Sequence, residues 1–198
     1  MANRLTGIAC ATLTALTASV ALAQQAPEWT VDPEQSRVGF IAQQSGNDVP
    51  GEFERFETTI HFDRDNLTAS SVDVKIDIQS VTTGSMDRDQ TIKSPNLFNA
   101  EQYPNARFQA DRFRHAGGDT YIAEGELTMR GQTHPVELPF ELDVTQDGDT
   151  LTATADGEVT VKRLRWGIGQ GQWQDTSMVP NPVVIEIDIH ATRPAGAE

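Results

Sequence analysis

The sequence predicts an all-β fold, an eight-stranded antiparallel up-and-down barrel with a helical excursion between strands. Three observations predict it. Stretches that alternate apolar and polar residues recur along the chain, separated by Gly, Pro and Asp turn signals, as in a sandwich or barrel. Each stretch is polar on one side and apolar on the other, which calls for an antiparallel sheet with one wet face. The stretches are long and most connections short, which favours a closed barrel, because closure removes the edge strands.

In chain order, residues 1–23 read as a cleaved secretory signal peptide: Arg4 is the only charge, an Ala/Leu/Thr-rich run follows, and Ala21-Leu22-Ala23 is a small-x-small cleavage site. Thr6, Thr12, Thr14, Thr17 and Ser19 dilute that run below what a spanning helix needs. Residues 24–198 form a single barrel domain. Residues 36–43 alternate through Val38, Phe40 and Ala42 after a break at Pro33, and residues 45–50 read as a turn or loop. Residues 51–63 alternate from Phe56 to Phe62, with Phe53 out of phase, so a bulge or bend belongs there. The clearest strand sets Val72, Val74, Ile76 and Ile78 against Asp73, Lys75, Asp77 and Gln79. Strands follow at 107–113 and 120–130, with a hairpin signal at Gly131-Gln132. Val136, Leu138, Phe140, Leu142 and Val144 share one face of the next; Asp147-Gly148-Asp149 turns into 151–162, and 183–191 closes the series.

Residues 80–108 refuse the alternation. Gly84, Pro95 and Pro104 punctuate them, yet Ile92, Leu97, Phe98 and Tyr103 are apolar. A long interruption of this kind is functional or disordered, and its apolar residues argue for an ordered, partly helical lid or mouth over one barrel end.

The net charge of −14 becomes −15 once Arg4 leaves with the leader, and Cys10 leaves with it. Nucleic acid and anionic membrane surfaces repel so acidic a chain, and solubility is the plainer use of the charge. A secreted domain without disulfides suits a periplasm, at a size that builds its own core.

Catalytic signals are sparse. There is no G-x-S-x-G and no cysteine after residue 23, and His61, His115, His134 and His190 lack metal-ligand spacing, so no metal is expected. Residues 167–171 resemble a dinucleotide loop only superficially, since they lie between Trp166 and Trp173 in an all-β context. Asp87-Arg88-Asp89 reads as an ion-paired turn, Arg88 forking between carboxylates and pinning the excursion; an acid/base pair is the alternative. The apolar inventory says more. Phe40, Phe56, Phe62, Phe98, Phe108, Phe140, Trp166 and Trp173 supply rings, and Ile76, Ile78, Leu127, Met129, Leu138, Leu142, Ile168 and Ile187 supply aliphatic surface. Beneath a polar exterior these face inward, where they either fill a core or line a greasy cavity; alternation fits both.

Across residues 29–191 a set of motifs resembles the YceI family. W-x-V-D-P-x-x-S-x-V-x-F starts at Trp29, G-x-F-x-x-F at Gly51 and I-x-F-D at Ile60; S-V-x-T-G follows from Ser80, with Arg88-Asp89 beyond it. Y-P-x-A-x-F starts at Tyr103, G-x-L-T-M-R-G-x-T-x-P-V at Gly125, and Lys162-Arg163 precedes Trp166-Gly167-Ile168-Gly169. The resemblance implies a lipocalin-like barrel that holds a polyisoprenoid or quinone-like lipid, usually periplasmic, with links to stress responses and to cytochrome b561-like membrane redox partners. The chain departs from the family pattern at Thr91, at Asn96 and Asn99, and across Arg163-Leu164-Arg165-Trp166-Gly167, which alters the polar mouth.

The expected function is therefore a periplasmic carrier without chemistry. The sixteen apolar residues above would bind ligand, and Asp87, Arg88, Asp89 and Arg163 would meet a head group at the rim. No cofactor beyond the bound lipid is expected. The alternatives are an accessory subunit of a membrane redox protein, a lipid-modifying enzyme using Asp87 or Asp89, and a homodimeric form of the carrier.

Overall fold

A computed structural model describes residues 25–196; the leader read at residues 1–23 lies outside them. The described strands are β1 (Glu28–Val31), β2 (Arg37–Gln44), β3 (Asn47–Phe53), β4 (Phe56–His61), β5 (Ser71–Asp77), β6 (Val81–Thr82), β7 (Asn105–Gly117), β8 (Thr120–Met129), β9 (Gln132–Asp147), β10 (Thr150–Lys162) and β11 (Pro182–Pro194). Helix α1 (Met86–Lys93) lies between β6 and β7.

Six of these short strands join end to end into three long staves. β1 and β2 both pair with β11, through Val31↔Ala191 and through Arg37↔Asp188. The break between them falls at Pro33, which has no N–H for a ladder. The gap is bridged, since Asp32 N–H donates to the His190 carbonyl (2.8 Å) and His190 N–H to Ser36 Oγ (2.9 Å). β3 and β4 bend at residues 54–55, where Glu54 and Arg55 N–H groups donate to the Ser80 carbonyl and Oγ. β5 and β6 are separated by a 3-10 turn, Ile78–Ser80, because the Asp77 carboxylate accepts from Gln79 N–H and ends the strand.

Counted this way the barrel has eight antiparallel staves, and β1 closes the ring by pairing with both β4 and β11. The all-β barrel with a single helical excursion is thus observed. The bend after Phe53 falls where the phase break put it. Two details differ. Residues 45–50 are mostly strand, with only Ser45 and Gly46 turning (φ 51 and 80). Pairing with β2 overrides the turn propensity of Asn47, Asp48 and Pro50. The next hairpin turns on Arg130 and Gly131, one residue earlier than the Gly-Gln signal, with φ of 49 and 71. Such a turn takes positive φ at both central positions, which Gly131 meets freely and Arg130 at a cost.

Outward side chains of neighbouring staves hold charge pairs. Arg107 on β7 forks onto Asp73 on β5, with Nε 2.8 Å from Oδ1. That hydrogen bond, with help from Gln109, holds the Asp73 carboxyl below its ordinary value of 3.8 against the opposing effect of partial burial. A carboxyl lowered by folding stabilises the native state above its unfolded pKa and ceases to as pH falls through the folded value. Thermal stability is therefore expected to drop as pH is taken below 3.8, and Asp73→Asn should flatten that acid limb when melting is followed by circular dichroism. An unchanged limb in the variant would remove Asp73 from the account.

Candidate functional site

The barrel is hollow. An apolar cavity of about 650 Å³ runs along its axis, within the several hundred cubic ångströms typical of small-molecule sites. It exists because the inward positions at mid-barrel carry short side chains. Ala106, Ala123, Ala155, Val72, Val74 and Val159 line the wall there, too small to meet across an eight-stranded barrel. Alternation marks Val72 and Val74 as sharing the inward face, but neither they nor the alanines are among the residues expected to bind ligand.

One end is plugged. Phe62 stands edge-on to Phe113 (5.4 Å), Tyr121 (5.5 Å) and Phe140 (6.0 Å), and Tyr121 stacks on Phe140 at 5.8 Å. Trp29 covers this cluster and donates its Nε1–H to the Phe62 carbonyl (3.0 Å). Edge-to-face rings of this kind add to burial in holding the floor rigid.

The other end is the mouth. The solvent-exposed residues of the lining are Gln43, Gln44 and Asp87, at the tip of β2 and on α1. Ser85, Arg88, Thr91 and Ile92 from α1 and its approach, together with Trp173 and Val179, complete this rim.

Most of the apolar residues named from the sequence reach the cavity: Phe40, Phe62, Phe98, Phe108, Phe140 and Trp173 by their rings, with Ile76, Leu127, Met129, Leu138, Leu142, Ile168 and Ile187 beside them. Three do not. Ile78 leaves the strand phase in the 3-10 turn and is fully buried. Phe56, beside the bend, packs against the buried cluster that includes Ile78. Trp166 is swung away by a 3-10 turn, Arg163–Trp166, donates its Nε1–H to the Leu127 carbonyl (2.9 Å) and stands edge-on to His134 at 5.1 Å. It closes a corner of the wall and does not line the cavity.

The charged residues divide likewise. Asp87 and Arg88 line the mouth. The Arg88 fork is corrected, because among the described residues Arg88 makes no ion pair. Its Nε–H donates to Thr83 Oγ1 (3.1 Å), and helical geometry spreads Asp87 and Asp89 around α1 instead of facing them at one guanidinium. Asp89 is absent from the lining; its Oδ1 accepts from Thr83 N–H and Oγ1–H (2.9 and 2.6 Å) and so pins the start of α1. Two carboxylates converging on one substrate are therefore not present here.

Two other arginines hold the mouth, Arg130 the excursion and Arg163 the loop before β11. Arg130 donates to the carbonyls of Leu97 (2.8 Å) and Pro95 (2.7 Å). Arg163 is buried against the cavity, and its three nitrogens donate to the carbonyls of Pro180 (3.1 Å), Ile168 (2.9 Å) and Val179 (2.7 Å). Burial pulls the pKa of its guanidinium below its ordinary value. Gly169, with φ of 128, makes this possible, since a Cβ there would lie 2.0 Å from Arg163 Nη1. Gly169 and Gln170 N–H groups in turn donate to the Asn96 carbonyl (3.1 and 2.7 Å), tying the loop to the excursion. The glycine-rich stretch is thus a strut of the mouth, between β10 and β11.

Fold and site together define a closed β-barrel that holds an apolar hollow with one guarded opening, the architecture of a binding protein for a hydrophobic molecule. Residues 29–191 match the YceI-like domain model, and the chain belongs to that family. It is 36% identical over 106 residues to UPF0312 protein plu2095 of Photorhabdus laumondii, a match that spans 53% of this chain and 55% of that relative. The fold is similar to that of BcnA from Burkholderia cenocepacia (TM-score 0.73, 31% identity, 82% of this chain and 99% of that one). It is also similar to a polyisoprenoid binding domain from Saccharophagus degradans (TM-score 0.65, 14% identity, 84% and 98%), a likeness of fold alone.

Replacing Arg163 with methionine strands three inward carbonyls. The expected loss is about 2–4 kcal/mol in chemical denaturation, with faster amide exchange across residues 167–181. Exchange equal to the parent protein would show that Arg163 does not latch this loop.

Proposed function

We propose that this chain is a periplasmic carrier that holds one polyisoprenoid or quinone-like lipid, its chain in the barrel and its polar head at the mouth. The observation that carries this reading is the apolar cavity of about 650 Å³, walled by inward aliphatic and aromatic residues and open beside α1. An apolar chain that leaves water for such a wall gains about 0.8 kcal/mol per CH₂, and a preformed, rigid floor reduces what ordering costs. The long axial shape suits an extended chain better than a compact ligand. The polar atoms sit where an amphiphile needs them, with Gln43, Gln44, Asp87 and Arg88 at the opening. The Saccharophagus domain, alike in fold, supports the ligand class. The leader-like composition of residues 1–23, with no cysteine beyond it, supports the compartment.

Protein purified from its own host should release an isoprenoid-type lipid on solvent extraction, identified by mass spectrometry. Ala155→Trp, which fills the mid-barrel, should lose that lipid while keeping a cooperative melt. Recovery of equal lipid from the filled variant would rule out the barrel interior as the binding place.

Ligand length should also respond to the floor. Phe62→Ala opens the plugged end and should shift the recovered lipids toward longer chains, at a stability loss of about 3–5 kcal/mol. An unchanged length distribution in a folded variant would mean that the aromatic floor does not measure the chain.

A further inference from the structure

We infer that the mouth of the barrel docks on the surface of a lipid bilayer, α1 and the loop before β11 facing the headgroups. The inference rests on the carrier reading, and it names where the ligand enters. Among the described residues the exposed large apolar side chains are Met86 and Met178, 84% and 61% accessible. Both stand at the cavity opening. Met86 lies between Ser85 and Asp87, which line the cavity, and Met178 immediately precedes Val179, which also lines it. The Met178 carbonyl accepts from Ser45 N–H (2.8 Å), which holds this loop against the β2–β3 turn beside Gln43 and Gln44. Two flexible, unbranched side chains thus flank the opening from opposite elements, and nothing in the fold requires either to be apolar.

Charge says which face can approach a membrane. The chain carries −14 overall, but α1 is balanced, with Asp87 and Asp89 against Arg88 and Lys93. The barrel side is not. Across β10 and β11 Asp156 stands directly opposite Asp188 and Glu158 opposite Glu186; Arg37 pairs with Glu186 and Glu52, and the carboxylates left in excess repel any anionic surface. That side of the wall is therefore kept off an anionic bilayer, whereas the mouth, balanced in charge at α1, suits zwitterionic headgroups. Among the described residues no helix is long and apolar enough to cross a membrane, and the outward face of the strands carries charge pairs, so the proposed contact is at the surface. An apolar ligand then passes from bilayer to cavity without crossing water.

The test is flotation of the full purified protein with phosphatidylcholine vesicles, alongside vesicles enriched in phosphatidylglycerol. The protein should float with phosphatidylcholine and less with the anionic vesicles. The double variant Met86→Asp, Met178→Asp should lose about tenfold in vesicle binding, the scale of exchanging apolar burial for charge. It should still retain whatever lipid the parent protein carries, since neither methionine lines the cavity. Failure of the parent protein to float, or equal flotation of the variant, overturns the docking face. So does a parent protein that runs as a dimer in light scattering when the variant runs as a monomer, because the methionines would then serve a second copy. Lipid recovered from the cavity in any of these cases leaves the carrier reading standing. Flotation lost in the variant while both proteins prove empty would instead count against the carrier.

Discussion

The structure depends on closure of the sheet. β1 is only four residues long, yet it reaches both β4 and β11 and converts an open, twisted sheet into a ring. Without it β4 and the Ala191–Thr192 end of β11 would be edges, their ladder groups free to pair elsewhere. Once the ring is closed, one face of each strand looks onto the axis, and alternation becomes an inside and an outside. Whether the inside is solid or empty then follows from side-chain size. Trp29, Phe62, Tyr121 and Phe140 fill one end, and alanines and valines leave the middle open.

The mouth is the part that a barrel does not supply for itself. Helix α1 has no fully buried residue and no side-chain cap at Ser85, and of its apolar side chains only Ile92 packs against the core. Beyond that contact its position comes from polar contacts: Thr83 with Asp89, Arg130 with the carbonyls after the helix, and the Gly169–Gln170 amides with Asn96. Arg163 performs the same service for the loop before β11. Cationic donors to backbone carbonyls suit this task, because irregular chain has acceptors to satisfy and no ladder to satisfy them. The rim is thus built from backbone held by arginines, and few of its own side chains are committed to packing.

How far the site could be read in the sequence follows from this division. Phe108, Leu127, Leu138 and Ile187 were legible as inward because each sits in an alternating run whose period fixes its direction. Ile78 continued such a run on paper, but Asp77 captured the Gln79 amide and ended the strand one residue earlier. Trp166 reads as a binding residue by its size, whereas its indole N–H needs a buried acceptor and finds the Leu127 carbonyl in the wall. Arg88 looked like the anchor because carboxylates flank it in the sequence. Neighbours in sequence point apart on a helix, and the anchors proved to be Arg130 and Arg163, whose carbonyl partners Leu97 and Val179 lie 33 and 16 residues away.

By itself the sequence determined the strand count, the wet and greasy faces, the bend beyond Phe53 and the presence of an ordered insertion, since all of these are local: a period of two, a proline, a glycine pair. Only the tertiary structure decided that the barrel is empty at its middle, which end is open and which arginines hold it open. Those outcomes depend on distances across the ring, where Ala123 and Ala155 fail to meet and Arg163 reaches the loop beside it, and no pattern along a chain records how far apart its two sides come to rest.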